Sequence, residues 1–481
     1  MSVETFLNGR VTLHAGDSRD VLKTLADNSI DSIVTDPPYA LVSIVKRFGA
    51  ANAAGVKVPE GGSGAYARAS RGFMGKQWDT GETAFATEFW AECLRVLKPG
   101  GHVVAFSGTR TYHRMACAIE DAGFEVRDML SWLYGSGFPK SHDVSKGIDK
   151  SLGAERSKIR VDASQVRNPK ATGAGRDGME GASRPWIESA MARGFHEAVS
   201  DEAVSDEAVE WQGWGTALKP ACEPICFGRK PLIGTVARNV LDHGTGAINI
   251  DGCRVGSDTR SRSTGEKISE SLSMGGGNYS REIVGTVEGR WPANVLHDGS
   301  DDVVTAFPES DSGSGSGSGS GGIWAPSTGK PAGPTYGDGV GSAARFYYTA
   351  KADADDRLGS KHPTVKPVDL MQWLCRLVTP PGGTVLDPFA GTGTTGEAAF
   401  REGFKAVLIE REEEYQADIR RRMGLVLSGP DERSRESIKA RTAGQPIDHG
   451  PLFGGLDTPP TGQKDLRGIR GRTIGPTGLK W

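Results

Sequence analysis

Short apolar runs that stop on a polar or acidic residue recur along this chain and predict the strands of a parallel sheet. They fall at residues 11–15, 31–35, 102–106, 128–133, 384–387 and 405–409. Stretches with helical spacing of apolar residues lie at 18–26, 83–97, 110–122, 367–378, 394–402 and 412–425. Strand and helix alternating in this way predict an open α/β sheet with helices on its faces. The rhythm is confined to residues 1–150 and 345–425, which read as two sequence halves of one domain. Residues 151–344 between them read as an insertion. Inside it, 312–322 is nearly pure Ser and Gly, the composition of a flexible linker, and 151–195 is rich in Arg, Lys, Gly and Ser with little periodicity, as in a disordered loop. Glu-Ala-Val-Ser-Asp recurs with a period of five within 197–210, matching neither helix nor strand, and reads as a duplicated, solvated segment. After Met423 the pattern fades, and 426–481 is read as a disordered tail.

The tips of the apolar runs carry the candidate chemistry. Thr384-Val385-Leu386 leads into Asp387-Pro388-Phe389-Ala390-Gly391-Thr392-Gly393-Thr394-Thr395, a glycine-rich turn from strand to helix. Glycine there lets backbone approach a ligand closely, and the helix N-terminus offers free N–H groups. The next run, Ala406-Val407-Leu408-Ile409, ends in Glu410, the place where doubly wound sheets hold a ribose hydroxyl. Near the start of the chain, Ser32-Ile33-Val34-Thr35 runs into Asp36-Pro37-Pro38-Tyr39. Consecutive prolines remove two backbone donors and leave carbonyl acceptors. With the Asp36 carboxylate and the flat face of Tyr39, they suit an aromatic amine such as the amino group of adenine or cytosine.

Together these segments resemble the S-adenosylmethionine-dependent amino-group DNA methyltransferases. Their order, catalytic segment before cofactor segment, is that of the permuted β group. The resemblance extends to Ala15-Gly16-Asp17 and to His362-Pro363-Thr364-Val365-Lys366-Pro367. It implies a Rossmann-like methyltransferase fold, circularly permuted, with 151–344 as an inserted target-recognition region that DNA could order. It further implies Asp36, Pro37, Pro38 and Tyr39 as the catalytic segment, with Tyr39 stacking on a flipped base. Cofactor contacts are implied for Asp17, Thr364, Lys366, Pro367, Asp387, Pro388, Phe389, Gly391, Gly393, Thr394 and Glu410, with Thr364 and Lys366 toward the methionine carboxylate. Asp at the first catalytic position favours adenine N6 over cytosine N4. Local wording such as Trp132-Leu133-Tyr134-Gly135, Glu223-Pro224-Ile225 and Gly246-Ala247-Ile248-Asn249 resembles phage and prophage members.

Composition changes this picture little. At 481 residues the chain can bury a substantial core, and 67 glycines and 26 prolines imply long irregular stretches beside it. A net charge of −3 does not exclude DNA as partner, because phosphate is bound by a local basic patch; Lys464, Arg467, Arg470, Arg472 and Lys480 near the end offer one. The six cysteines are scattered, which argues against a disulfide framework, and Cys222 and Cys226 lack a second pair that would make a metal site. No metal is expected. Without a membrane-length apolar run or a secretory pattern in its first ten residues, the protein is expected to be cytoplasmic. The expected partner is double-stranded DNA, with any cognate restriction endonuclease a separate chain. RNA or protein-amide methyltransferases normally place the cofactor motif first, and a non-catalytic DNA-binding scaffold would not need intact Asp36 and Glu410.

Overall fold

The computed structural model describes residues 2–39, 83–137, 141–162, 193–267, 279–311, 340–350, 355–360, 362 and 364–442. The strands of its main sheet are β1 (Ser2–Phe6), β2 (Val11–Ala15), β3 (Ile30–Thr35), β4 (Leu97–Phe106), β5 (Glu125–Leu133), β6 (Cys222–Arg229), β7 (Val295–His297), β8 (Tyr348–Thr349), β9 (Thr384–Asp387) and β10 (Lys405–Glu410). They form one ten-stranded sheet in the order β1-β2-β10-β9-β3-β4-β6-β5-β7-β8. Pairing is parallel from β2 to β4, whereas β1 is antiparallel to β2 and β6 is antiparallel to both β4 and β5. The helices used below are α1 (Ser18–Val21), α2 (Thr87–Val96), α3 (Tyr112–Asp121), α4 (Val368–Val378), α5 (Thr394–Arg401), α6 (Glu413–Leu425) and α7 (Pro430–Thr442).

Side-chain alternation along the central strands feeds two cores, one on each face. Val34, Val104, Phe106, Val385 and Leu408 pack with α4 and α5, while Ile33, Val103, Ala105, Leu386 and Ile409 pack with α2 and α3. Strand β3 is buried at every position, including its polar residues, and each of these is paired. Asp31 accepts from Lys98 Nζ at 2.6 Å and from the Thr384 N–H at 2.7 Å, Ser32 meets the Thr379 hydroxyl at 2.8 Å, and Thr35 donates to Asp387 at 2.6 Å. The bonds to Thr384 and Asp387 tie β3 to β9. These neighbours stand more than three hundred residues apart in the chain. The order β9-β3 also marks the point where the sheet reverses direction of growth, β10 lying outward of β9 and β4 outward of β3. Open α/β sheets bind ligands at the carboxyl ends of strands at such a point.

The six strands read from the apolar runs are all present, and the six helical stretches form within a few residues of their expected ends. Three readings change. The expected insertion 151–344 contributes β6 and β7 to the same sheet, with β6 between β4 and β5. The expected disordered tail opens with α7, whose Arg433 reaches the buried Glu397 at 2.8 Å. Within the acidic repeat, Phe195–Val199 is a strand and Asp206–Glu210 a short helix. The Ser-Gly run at 312–322, most of 151–195 and the basic residues from 464 onward lie outside the described residues.

Candidate active site

Strand β9 delivers Asp387 to the floor of a pocket at the carboxyl edge of the sheet. Its two oxygens accept from Thr35 at 2.6 Å and Thr395 at 2.5 Å, and the Phe389 N–H adds a bond at 3.1 Å. Burial nonetheless raises its pKa to about 6. The turn that follows passes through Gly391 at φ +52° and Gly393 at φ +79°, left-handed conformations that favour glycine. A Cβ on Gly391 would stand 3.4 Å from the His362 ring. The His362 ring in turn stacks edge-on against Tyr415, 4.4 Å between centroids.

Strand β10 ends in Glu410, whose Oε2 accepts the Gly391 N–H and whose Oε1 accepts the Glu412 N–H, both at 2.8 Å. Burial pushes its pKa up to about 7. Across from it, Asp17 caps α1 and is held by Arg19 at 2.8 Å and, more distantly, by Arg411 at 3.8 Å, and the Arg19 guanidinium lowers its pKa.

Strand β3 delivers Asp36 beside this turn. Its Oδ2 accepts from Lys366 Nζ at 2.5 Å, while its Oδ1 is buried with no hydrogen-bond partner. Lys366 also reaches Glu223 Oε2 at 3.3 Å, and the Tyr39 hydroxyl donates to the same oxygen at 2.8 Å. The ammonium lies 5.3 Å from the Tyr39 ring centre and 4.9 Å from that of Phe106. Burial works against the Lys366 charge, but Asp36 and Glu223 outweigh it and raise its pKa. The same burial and the same two carboxylates push the Tyr39 phenol well up, so it stays protonated.

One pocket brings together Asp17, Asp36, Pro37, Pro38, Tyr39, Thr364, Lys366, Asp387, Pro388, Phe389, Gly391, Thr394 and Glu410. Two of the expected residues do not line it. Pro367 precedes α4, where its carbonyl accepts the Met371 N–H at 3.2 Å, and Gly393 precedes α5 with its Cα facing Ile419. Phe389 also packs on Phe89, 5.1 Å between ring centres, and so anchors the turn to the core below. Lys366 stands with Asp36 and Glu223 rather than along the glycine turn.

The sequence profile of the N6/N4 methyltransferase family, described as DNA methylase, matches residues 30–421. The chain belongs to this DNA methylase family. Among curated proteins, the chain is similar to the type II methyltransferase M.HindIII of Haemophilus influenzae, 24% identical over 251 residues that cover 49% of this chain and 64% of that protein. It is also similar to the type II methyltransferase M2.DpnII of Streptococcus pneumoniae, 40% identical over 68 residues, 14% of this chain and 25% of that one. The chain thus spans less than two thirds of either relative. Among solved structures, PvuII DNA methyltransferase (cytosine-N4-specific) is 14% identical with a TM-score of 0.38, covering 91% of this chain and 94% of its own. The M1.HpyAVI–SAM complex is 14% identical with a TM-score of 0.34, covering 86% of this chain and all of its own. Scores this low add nothing to the family match.

Two parts of the candidate site were not legible as site residues. Glu223 comes from the antiparallel β6, and only its place in the sheet brings it to Asp36 and Tyr39. Arg422 on α6 is buried behind the glycine turn, donating to the Thr392 carbonyl at 2.8 Å and pairing with Glu397 on α5 at 2.6 Å. Glu223-Pro224-Ile225 stood out only as wording similar to phage and prophage members, with no role attached, and for Arg422 an arginine amid the apolar positions of 412–425 was the one hint.

Proposed function

We propose that this chain transfers the methyl group of S-adenosylmethionine to an exocyclic amino group of a base in DNA, adenine N6 in preference to cytosine N4. The observation that carries this reading is the buried, unpartnered Asp36 Oδ1, in the pocket that also holds the glycine turn and Glu410. The lone pair of an aromatic amine is delocalised into its ring, which makes the nitrogen a poor nucleophile. An acceptor fixed against its N–H draws the nitrogen toward tetrahedral geometry and favours the positive charge that builds during attack. Asp36 Oδ1 supplies that acceptor, and the Pro37 carbonyl takes the second N–H. Adenine is preferred because Asp stands first in Asp36-Pro37-Pro38-Tyr39.

The residues present fit the cofactor. The turn at Gly391 runs at φ +52°, which a side chain would strain, so its backbone stays bare toward a ligand, and Glu410 presents a carboxylate to the ribose hydroxyls. When bound, S-adenosylmethionine supplies a methyl group already activated by its sulfonium charge. The protein's task is then to align the amine and exclude water. Because the amine must reach an acceptor at the end of β3, within the pocket at the edge of the sheet, the base has to leave the duplex. Tyr39 offers it a flat face.

The test is transfer of a tritiated methyl group from S-adenosylmethionine to DNA, RNA or protein from a host without DNA methylation. The expected product is N6-methyladenine in DNA. Label in N4-methylcytosine would keep the chemistry and overturn the base, and label confined to RNA or protein would overturn the substrate class.

A further inference from the structure

Resting on that reading, we propose that Glu223 is a positioning residue for the transfer. By sharing Lys366 with Asp36 and accepting the Tyr39 hydroxyl, it fixes one Asp36 oxygen and leaves the other open to the amine. Three distances carry the inference: Lys366 Nζ to Asp36 Oδ2 at 2.5 Å, Lys366 Nζ to Glu223 Oε2 at 3.3 Å, and Tyr39 hydroxyl to Glu223 Oε2 at 2.8 Å. The Lys366 side chain is 6% exposed, so its charge is screened little by water. A buried ammonium facing Asp36 alone would neutralise it and withdraw the electron density that the amine must meet. The second carboxylate divides that charge. The cluster then keeps a net negative charge, with Asp36 Oδ1 as its unpartnered acceptor.

Glu223 can do this because β6 runs antiparallel between β4 and β5, so its first residues lie at the carboxyl ends of the parallel strands. Pro224 falls past the last β4 partner, where Phe106 faces Ile225. There its missing N–H leaves the ladder with β4 intact. The segment most easily taken for inserted sequence thus completes the catalytic cluster.

The test measures kcat and the KM for S-adenosylmethionine on DNA from a host without methylation, in wild type, Glu223→Gln, Glu223→Asp and Lys366→Gln, and in the Glu223→Gln/Lys366→Gln double variant. Glu223→Gln keeps an acceptor for Tyr39 and removes only the charge. Its kcat is expected to fall at least about tenfold with KM nearly unchanged, the pattern of an interaction made in the transition state. Glu223→Asp should recover part of the loss. The double variant should be no slower than Glu223→Gln alone, because the unbalanced ammonium is gone. Wild-type kcat in Glu223→Gln, or a loss confined to KM, would overturn the role of Glu223. Additive losses in the double variant would overturn the mechanism through Lys366. An inactive wild type would instead overturn the methylation reading itself.

Discussion

At the scale of single residues, the site is a set of buried carboxylates, each held by different donors. Glu410 has both oxygens on backbone N–H groups, yet burial dominates and moves its pKa from an ordinary 4.5 to about 7. Asp387 moves in the same direction, from 3.8 to about 6. A carboxyl whose folded pKa is raised favours the fold when protonated. Its contribution is present below the unfolded pKa and is lost as pH rises through the folded one. For Glu410 that window is pH 4.5 to 7, and the loss is on the order of 3 kcal/mol. The ligand-free wild type should therefore lose Tm across this window more steeply than Glu410→Gln, which does not titrate. Parallel Tm curves for the two proteins would refute the assignment. Asp36 differs in kind: it is the carboxylate with a salt-bridged oxygen and an open one, the arrangement an incoming N–H donor needs.

At the scale of elements, the glycine turn is held from behind by an ion network linking three helices. Glu397 on α5 is fully buried and meets Arg422 of α6 at 2.6 Å, Arg433 of α7 at 2.8 Å and Arg401 of its own helix at 2.7 Å. Removing one partner of a buried pair leaves the others charged and unmatched, at a cost of about 3–5 kcal/mol. Glu397→Ala is expected to lower the urea midpoint accordingly, and a change below about 1 kcal/mol would show the network to be water-screened. The parallel strands were legible because each is a short apolar run with a polar tip. The strand β6 was not. Glu223-Pro224 near its start are residues depleted in sheets, and only Ile225-Cys226-Phe227 reads as an apolar run. The acidic repeat shows the same limit from the other side. Glu197-Ala198-Val199 is extended while Glu207-Ala208-Val209 is helical, so one tripeptide takes two forms. The difference is tertiary: β-pairing with Lys158–Asp162 holds the first, and the Ser205 cap with buried Ala208 holds the second. Helix α7 was missed for a related reason. Its residues are mostly charged, and its attachment depends on Arg433 reaching Glu397 and the Leu425 carbonyl.

At the scale of the whole molecule, chain order and spatial order diverge, and the site lies where they meet. Strands β9 and β10, late in the chain, sit between β2 and β3 from its beginning. A sheet needs neighbouring strands and is indifferent to the order in which the chain supplies them, so Asp36 and the glycine turn end side by side. Stretches far apart in sequence converge there, the tips of β2, β3, β9 and β10, the start of β6 and the segment before α4. Asp36 acting as acceptor for a base amine is tested most directly in a living host. Wild type and Asp36→Ala would be expressed in bacteria without DNA methylation, and the genomes read by modified-base sequencing. The predicted result is N6-methyladenine at one recurring sequence in the wild-type host and none in the Asp36→Ala host. An unmodified genome beside folded wild-type protein, or the same methylation from Asp36→Ala, would contradict the account.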